Sequence, residues 1–333
     1  MRLPRFHLLQ PDTLKEACSM LGDRNESVLL AGGTALLVDM NQRLRKPSWV
    51  ISIKRVTGWD HIALEQDGGL RIGALASVAS VARSPLIAER HPVLAQAATS
   101  VGVPPLRHAA TVGGNLSLNN RCIYYNQSEL WRQARPLCLK LGGDVCHVVE
   151  KGRTCLAIHQ GDLAPALLAL GASVVVMGAA DERVLPLRDF FTGDGEKPNV
   201  LEQGELLAEV RIPPASPSGG SAYEKLRVRE AMDFPLASAA ANLRLDGGRI
   251  AEASVVLGAM AAAPLEITAA TTVLVGQKIG DGLDILLDQV AQQGFERAHP
   301  ADNLAVDAGY RRKMTSVLVR RALERAIAVA QGA

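Results

Sequence analysis

Two glycine pairs constrain this chain more than any other feature in it. Leu29-Leu30-Ala31-Gly32-Gly33-Thr34-Ala35 ends a short apolar run, Val28 to Ala31, and opens a helically spaced stretch, Ala35 to Leu44. Thr111-Val112-Gly113-Gly114-Asn115 repeats the hydroxyl-and-two-glycines pattern about eighty residues further on. Glycine has no Cβ, so a ligand can approach the backbone N–H groups of such a turn closely. A helix N-terminus behind the turn adds positive potential, and the threonine adds a hydroxyl. Either turn alone is equally well explained as an ordinary tight turn. Two of them at this separation suit one elongated diphosphate ligand lying across both. Neither is followed by the Gly-Lys-Ser/Thr of a Walker loop. No G-x-G-x-x-G occurs, which argues against a Rossmann dinucleotide domain.

The rest of the chain reads as a folded protein of two or three parts. It has 333 residues, 48 % hydrophobic and 21 % charged, which excludes disorder and collagen-like structure. Lys+Arg number 36 against 34 Asp+Glu, so no basic footprint for nucleic acid is expected. No apolar run reaches the ~18 residues of a membrane span, and the opening residues lack a signal core. A cytoplasmic protein is the expectation. Pro11-Asp12-Thr13 caps a first helix that carries Cys18 on its apolar side. Trp49 to Ile53 and Leu70 to Leu75 read as strands, and Ser77 to Val101 as two helices broken near Pro85 and Pro92. A helix over Leu163 to Leu170 precedes strands over Ala172 to Met177 and Leu206 to Ile212. Pro213-Pro214-Ala215-Ser216-Pro217-Ser218-Gly219-Gly220 is the clearest linker. Three strand-like runs follow, Ala222 to Val228, Ala237 to Leu245 and Ile250 to Leu257. The closing helix puts Val319, Ala322, Leu323, Ala326, Ile327 and Ala330 on one face, the spacing of a core-packing stripe.

With these residues in view, the chain resembles the FAD-binding subunits of molybdenum hydroxylases, the xanthine oxidase and carbon monoxide dehydrogenase family. The two glycine motifs carry most of the likeness. Gly161-Asp162-Leu163-Ala164-Pro165-Ala166-Leu167 and the stretch from Tyr223-Glu224-Lys225 to Asp233-Phe234-Pro235 add to it. The resemblance implies an α+β fold in two parts. Residues 1–215 form a two-subdomain FAD-binding fold of the vanillyl-alcohol-oxidase (PCMH) type. Residues 221–331 form a C-terminal α/β domain like that of the CO dehydrogenase flavoprotein, with a short antiparallel sheet and helices. It implies that Leu29, Leu30, Ala31, Gly32, Gly33, Thr34 and Ala35 wall the FAD pyrophosphate, with Thr111, Gly114 and Asn115 opposite. Asp162 becomes a polar contact, Lys225 a cation at the pyrimidine edge of the flavin, and Leu206 or Leu207 a wall of the ring. The family often carries an acidic residue about nine positions past the second turn, where this chain has Tyr124. Tyr124 or Tyr125 is therefore expected to stack near the cofactor.

Four of the five cysteines, Cys122, Cys138, Cys146 and Cys155, fall in one stretch, separated by 16, 8 and 9 positions. In a cytoplasm such a cluster points to metal before disulfides. The spacing is not C-x-x-C. Four soft thiolates suit tetrahedral zinc, a [4Fe–4S] cube or no metal at all. From Arg121 to Cys155 there are six basic and three acidic residues, an excess that offsets the dianionic charge of either metal site without separating them. A redox flavoprotein has more use for another one-electron centre than for zinc. Within the family, a cysteine-bearing insert, here 121–156, resembles the β subunits of 4-hydroxybenzoyl-CoA reductases. That likeness implies Cys122, Cys138, Cys146 and Cys155 as ligands of a [4Fe–4S] cluster. It also implies a molybdenum cofactor on a large partner, [2Fe–2S] centres on a small partner, a dimer of heterotrimers, and ferredoxin as electron donor. Electrons would pass through cluster and FAD for reductive dehydroxylation on the partner. The competing expectation is the FAD subunit of an aldehyde-, xanthine- or CO-oxidising member whose cysteines bind zinc or nothing. No Ser-His-Asp, H-E-x-x-H or paired-carboxylate arrangement exists, so no catalytic residue is expected in this chain.

Overall fold

The first fifty residues alternate short apolar strands with helices, the order from which parallel sheets are built. In the computed structural model, which describes residues 2–332 apart from 303 and 305, they form a three-stranded parallel sheet. Its strands are β1 (His7–Leu9), β2 (Ser27–Leu30) and β3 (Trp49–Ser52), in the order β1-β3-β2. Helix α1 (Leu14–Gly22) begins where predicted: the Thr13 hydroxyl accepts from the Glu16 N–H at 3.1 Å, and the Glu16 carboxylate accepts from the Asp12 N–H at 2.9 Å. Leu14, Ala17, Cys18 and Leu21 make its buried face. The stretch after the first glycine pair yields only the short helix α2 (Leu36–Asn41).

The middle sheet is antiparallel. It contains β4 (Ile62–Leu64), β5 (Leu70–Gly73), β6 (Ser173–Met177), β7 (Glu182–Pro186) and β8 (Leu206–Ile212), ordered β4-β5-β8-β6-β7. Residues 78–100 form three helices, not two: α3 (Val78–Arg83), α4 (Pro85–Arg90) and α5 (Pro92–Ser100). Each proline opens a new helix at a position whose N–H would be unbonded anyway, so each ends one helix and starts the next. Then come α6 (Pro104–Ala109), α7 (Val112–Leu116), α8 (Glu129–Gln133) and α9 (Leu163–Ala169), the last buried along its whole length.

The C-terminal sheet is an antiparallel meander of β9 (Gly219–Leu226), β10 (Ala237–Asp246), β11 (Arg249–Gly258) and the two-residue β12 (Leu265–Glu266). Gly247 and Gly248, at φ 54° and 75°, make the β10–β11 turn, where both positions need the left-handed region. Helices α10 (Ala269–Leu274), α11 (Leu283–Arg297) and α12 (Ala308–Ala330) cover one face. Strand alternation divides the sheet between two cores. Ala239, Ala241 and Leu243 pack with Val319, Ala322, Leu323 and Ala326 of α12, so the predicted stripe is core. Tyr223, Ala240 and Val256 point the other way, into the core of the middle sheet with α5 and α9.

Candidate functional site

The two glycine turns meet. A Cβ on Gly32 would lie 1.9 Å from the Ala109 carbonyl oxygen and 3.1 Å from Ala110 Cα, the residues just before the second turn. Gly33 follows at φ +76°, in the left-handed region. Among the described residues, nothing accepts a hydrogen bond from the N–H groups of Gly32, Gly33 or Thr34, and the Thr34 hydroxyl is unbonded. The first turn therefore presents a run of bare donors, as an oxyanion requires.

The second turn is more committed to its own structure. Thr111 caps α7, accepting from Gly114 N–H at 3.1 Å, and Gly113 N–H bonds Ala74 O at 2.9 Å. Asn115 is buried, and its Oδ1 accepts from Leu163 N–H at 3.1 Å, capping α9. The side-chain oxygen expected to meet a cofactor thus joins the second turn to the Gly161–Leu167 motif. Gly161 must be small here, because a Cβ would stand 2.6 Å from Asn115 O.

Asp162 and Lys225, expected as separate contacts, pair with each other. Lys225 Nζ lies 2.9 Å from Asp162 Oδ1 and 3.0 Å from Ser100 O, and Tyr223 donates its hydroxyl to Asp162 Oδ1 at 2.8 Å. Burial pushes the Asp162 carboxyl up and the Lys225 ammonium down, each opposed by the other's charge; burial and Asp162 together drive the Tyr223 phenol well up. The pair fastens β9 to the N-terminus of α9 and the C-terminal end of α5. Leu206 and Leu207 are buried in different cores, the first with α1 and the second with the middle sheet. Nearby, His159 is buried edge-on against Phe191, and burial lowers its pKa to about 4.

Tyr124 and Tyr125, expected near the cofactor, lie beside the clustered cysteines. They line a small cavity that also takes in Cys122, Cys138, Cys146, Cys155, Lys140 and His147. All four clustered cysteines therefore converge, across up to 33 residues of chain. Cys122 and Cys155 are buried, while Cys138 and Cys146 are half-buried. Burial raises the Cys122 thiol and pushes Cys155 up to about 11, with the Lys140 charge working against the second shift. His147 Nε2 is 2.9 Å from Pro136 O and so is engaged as a donor. Among the described residues, no three Cys, His, Asp or Glu side chains form a group that could hold a single metal ion. Cys18 lies apart in the α1 core, its thiol donating to Met177 O at 3.3 Å.

Residues without any sequence signal hold this insert in place. Arg121 pairs at 3.0 Å with Asp39, which is buried on α2 directly behind the first glycine turn. Asn119 donates to Asp39 Oδ2 at 3.0 Å, and the buried Arg132 donates to Arg43 O at 3.1 Å. On the other side, Gly195 N–H bonds Cys155 O at 2.9 Å. Each joins parts of the chain far apart in sequence, which no local pattern announces.

Residues 4–215 match the family described as FAD binding domain in molybdopterin dehydrogenase, and residues 221–326 match the CO dehydrogenase flavoprotein C-terminal domain. The aldehyde oxidoreductase FAD-binding subunit PaoB of Escherichia coli K12 is 32 % identical, over 87 % of this chain and 89 % of that protein. The carbon monoxide dehydrogenase medium chain of Hydrogenophaga pseudoflava is 28 % identical over 97 % of each. In structure, carbon monoxide dehydrogenase from that organism superposes with a TM-score of 0.80 at 27 % identity, covering 98 % of this chain and 99 % of that one. Quinoline 2-oxidoreductase from Pseudomonas putida 86 shares the fold, with a TM-score of 0.77 at 24 % identity over 100 % of this chain and 99 % of that one.

Proposed function

Since the chain belongs to the FAD-binding subunits of the molybdenum hydroxylases, we propose that it carries electrons between FAD and partner subunits and does no substrate chemistry itself. The observation that carries this is the meeting of the two glycine turns, with the bare amides of Gly32, Gly33 and Thr34 at the junction. FAD, when bound, supplies the exchange between one- and two-electron carriers. Leu29, Leu30, Ala31 and Ala35 wall the first turn, Gly32, Gly33 and Thr34 hold the pyrophosphate, and Thr111, Gly114 and Asn115 face them. Asp162 and Lys225 hold the flavin end of the cleft together, with the charge of Lys225 toward the pyrimidine. The partners are a large molybdenum-cofactor subunit and a small [2Fe–2S] subunit, in a dimer of heterotrimers in the cytoplasm; no described helix is long and apolar enough to cross a membrane. The test is the absorption spectrum of the purified chain with added FAD. Stoichiometric flavin binding is expected, and a protein that never binds flavin refutes it.

One observation favours a finer reading: all four clustered cysteines line one cavity. Soft thiolates suit iron–sulfur or zinc, but a single zinc needs its sulfurs drawn to ~2.3 Å of one point. Four thiols ringing one cavity suit an inorganic unit with one ligand per corner. On this reading Cys122, Cys138, Cys146 and Cys155 hold a [4Fe–4S] cube, which supplies a one-electron centre. Ferredoxin is then the donor, and the complex removes the phenolic hydroxyl of 4-hydroxybenzoyl-CoA reductively. The relatives named above favour instead an aldehyde- or CO-oxidising enzyme. Iron and acid-labile sulfide near four per chain support the cube, and one zinc without sulfide excludes it. Turnover of 4-hydroxybenzoyl-CoA with reduced ferredoxin then separates reductase from oxidase.

A further inference from the structure

Lys140 is the only Lys or Arg among the described residues lining the four-cysteine cavity, and no carboxylate lines it. Its position is built from two sides. The ammonium donates to Gly195 O, in the loop that also bonds Cys155, and lies 5.6 Å from the centre of the Tyr125 ring. Tyr125 is buried and anchored through Asn119, so the ring that faces the ammonium is fixed. A charge brought this far out of water needs compensation, and Gly195 O and the ring face supply only part of it. Negative charge placed in the space the cysteines surround would compensate it further. Four thiolates and a cube, or four thiolates and a zinc ion, carry about −2.

We infer that Lys140 is a positioning residue for the four-thiolate site, its ammonium acting through the cavity as the counter-charge that favours the more negative redox state of the group the cysteines bind. The inference rests on the iron–sulfur reading above. One-electron reduction adds one negative charge to the group and moves no proton. A fixed positive charge beside it therefore raises the reduction potential, and removing that charge lowers it.

The test uses the full chain, purified without oxygen, with iron, sulfide and an EPR-monitored redox titration measured for the wild type, Lys140→Gln and Lys140→Arg. Glutamine keeps an N–H donor for Gly195 O but loses the charge, whereas arginine keeps both. The expected result is full iron in all three and an unchanged midpoint for Lys140→Arg. For Lys140→Gln we expect a midpoint lowered enough to change the reduced-to-oxidised ratio about tenfold at fixed potential, ~59 mV for one electron. Loss of iron from Lys140→Gln alone, with Lys140→Arg loaded normally, supports the same role. A fully loaded Lys140→Gln with the wild-type midpoint overturns it, and so does loss of iron from both variants, which would make Lys140 a strut. A wild-type chain without sulfide removes the iron–sulfur reading itself, an outcome distinct from all of these.

Discussion

Replacing Gly32 by alanine tests the claim that the two turns form one site. The added methyl would sit 1.9 Å from Ala109 O and 2.7 Å from its carbonyl carbon, both backbone atoms that no rotamer change can move. Ordinary contact requires the two turns to part by about 1 Å, and overpacking of this kind costs ~1–3 kcal/mol, more where backbone must shift. The strain lies across the junction itself, so it weakens the bound arrangement in particular. At ~3 kcal/mol, FAD affinity falls ~100-fold. Two neighbouring glycines calibrate the effect. Gly33→Ala meets only the Leu37 and Leu30 side chains, but at φ +76° it takes the left-handed penalty of ~1–2 kcal/mol, a loss of ~5- to 30-fold. Gly114→Ala has ordinary backbone angles and meets only the Thr111 hydroxyl at 3.0 Å, so its affinity stays within a few-fold of wild type. Flavin-fluorescence titration of the FAD-free proteins, with thermal melts alongside, ranks the three. A Gly32→Ala protein with wild-type affinity and melting temperature refutes the reasoning, because the turns would then tolerate separation.

Asp162→Asn strands the buried Lys225 ammonium, and we expect a loss of ~3–5 kcal/mol in denaturant unfolding with reduced flavin retention; a change under ~1 kcal/mol contradicts a buried ion pair there. His91 and His159 are held near pKa 4 by burial, with Arg90 adding to the shift at His91, against about 6.5 when unfolded. The unfolded chain therefore takes up protons between those pH values that the folded chain refuses. Stability falls as pH drops from about 6.5 to about 4 and levels off below, by up to ~3 kcal/mol for each histidine. Melting curves across that window should flatten in a His91→Gln/His159→Gln double variant, and an unchanged slope rejects the assignment. Serine at any one of Cys122, Cys138, Cys146 or Cys155 should lower iron and sulfide content, while Cys18→Ala leaves both at wild-type levels; equal loss from Cys18→Ala would mean that iron loss reports general unfolding.

Features set by near neighbours were legible in advance. Thr13 and Glu16 announce the start of α1, the apolar stripe of α12 shows which face is buried, and the Pro213–Gly220 stretch separates two sheets. Pro85 and Pro92 were equally visible, but helix starts and helix breaks look alike in sequence, so three helices were read as two. That the Tyr124 and Tyr125 rings line the cysteine cavity has no local signal, because aromatic residues carry no address. Strand β1, the short β4 and β7, and the six-residue helix α10 lack a period long enough to read.

Glycine turns, caps and amphipathic faces depend on φ, on the missing Cβ and on 3.6-residue periodicity, quantities that span a few residues. They sufficed to specify strand–turn–helix units with free backbone amides. Chain folding brought Gly32 against Ala109, joined Lys225 to Asp162 instead of leaving it free, and gathered Lys140 and four cysteines round one cavity. Those pairings join residues tens of positions apart, so they depend on how the sheets and helices pack and on which buried charges must find partners, and neither is written in any local stretch of the chain.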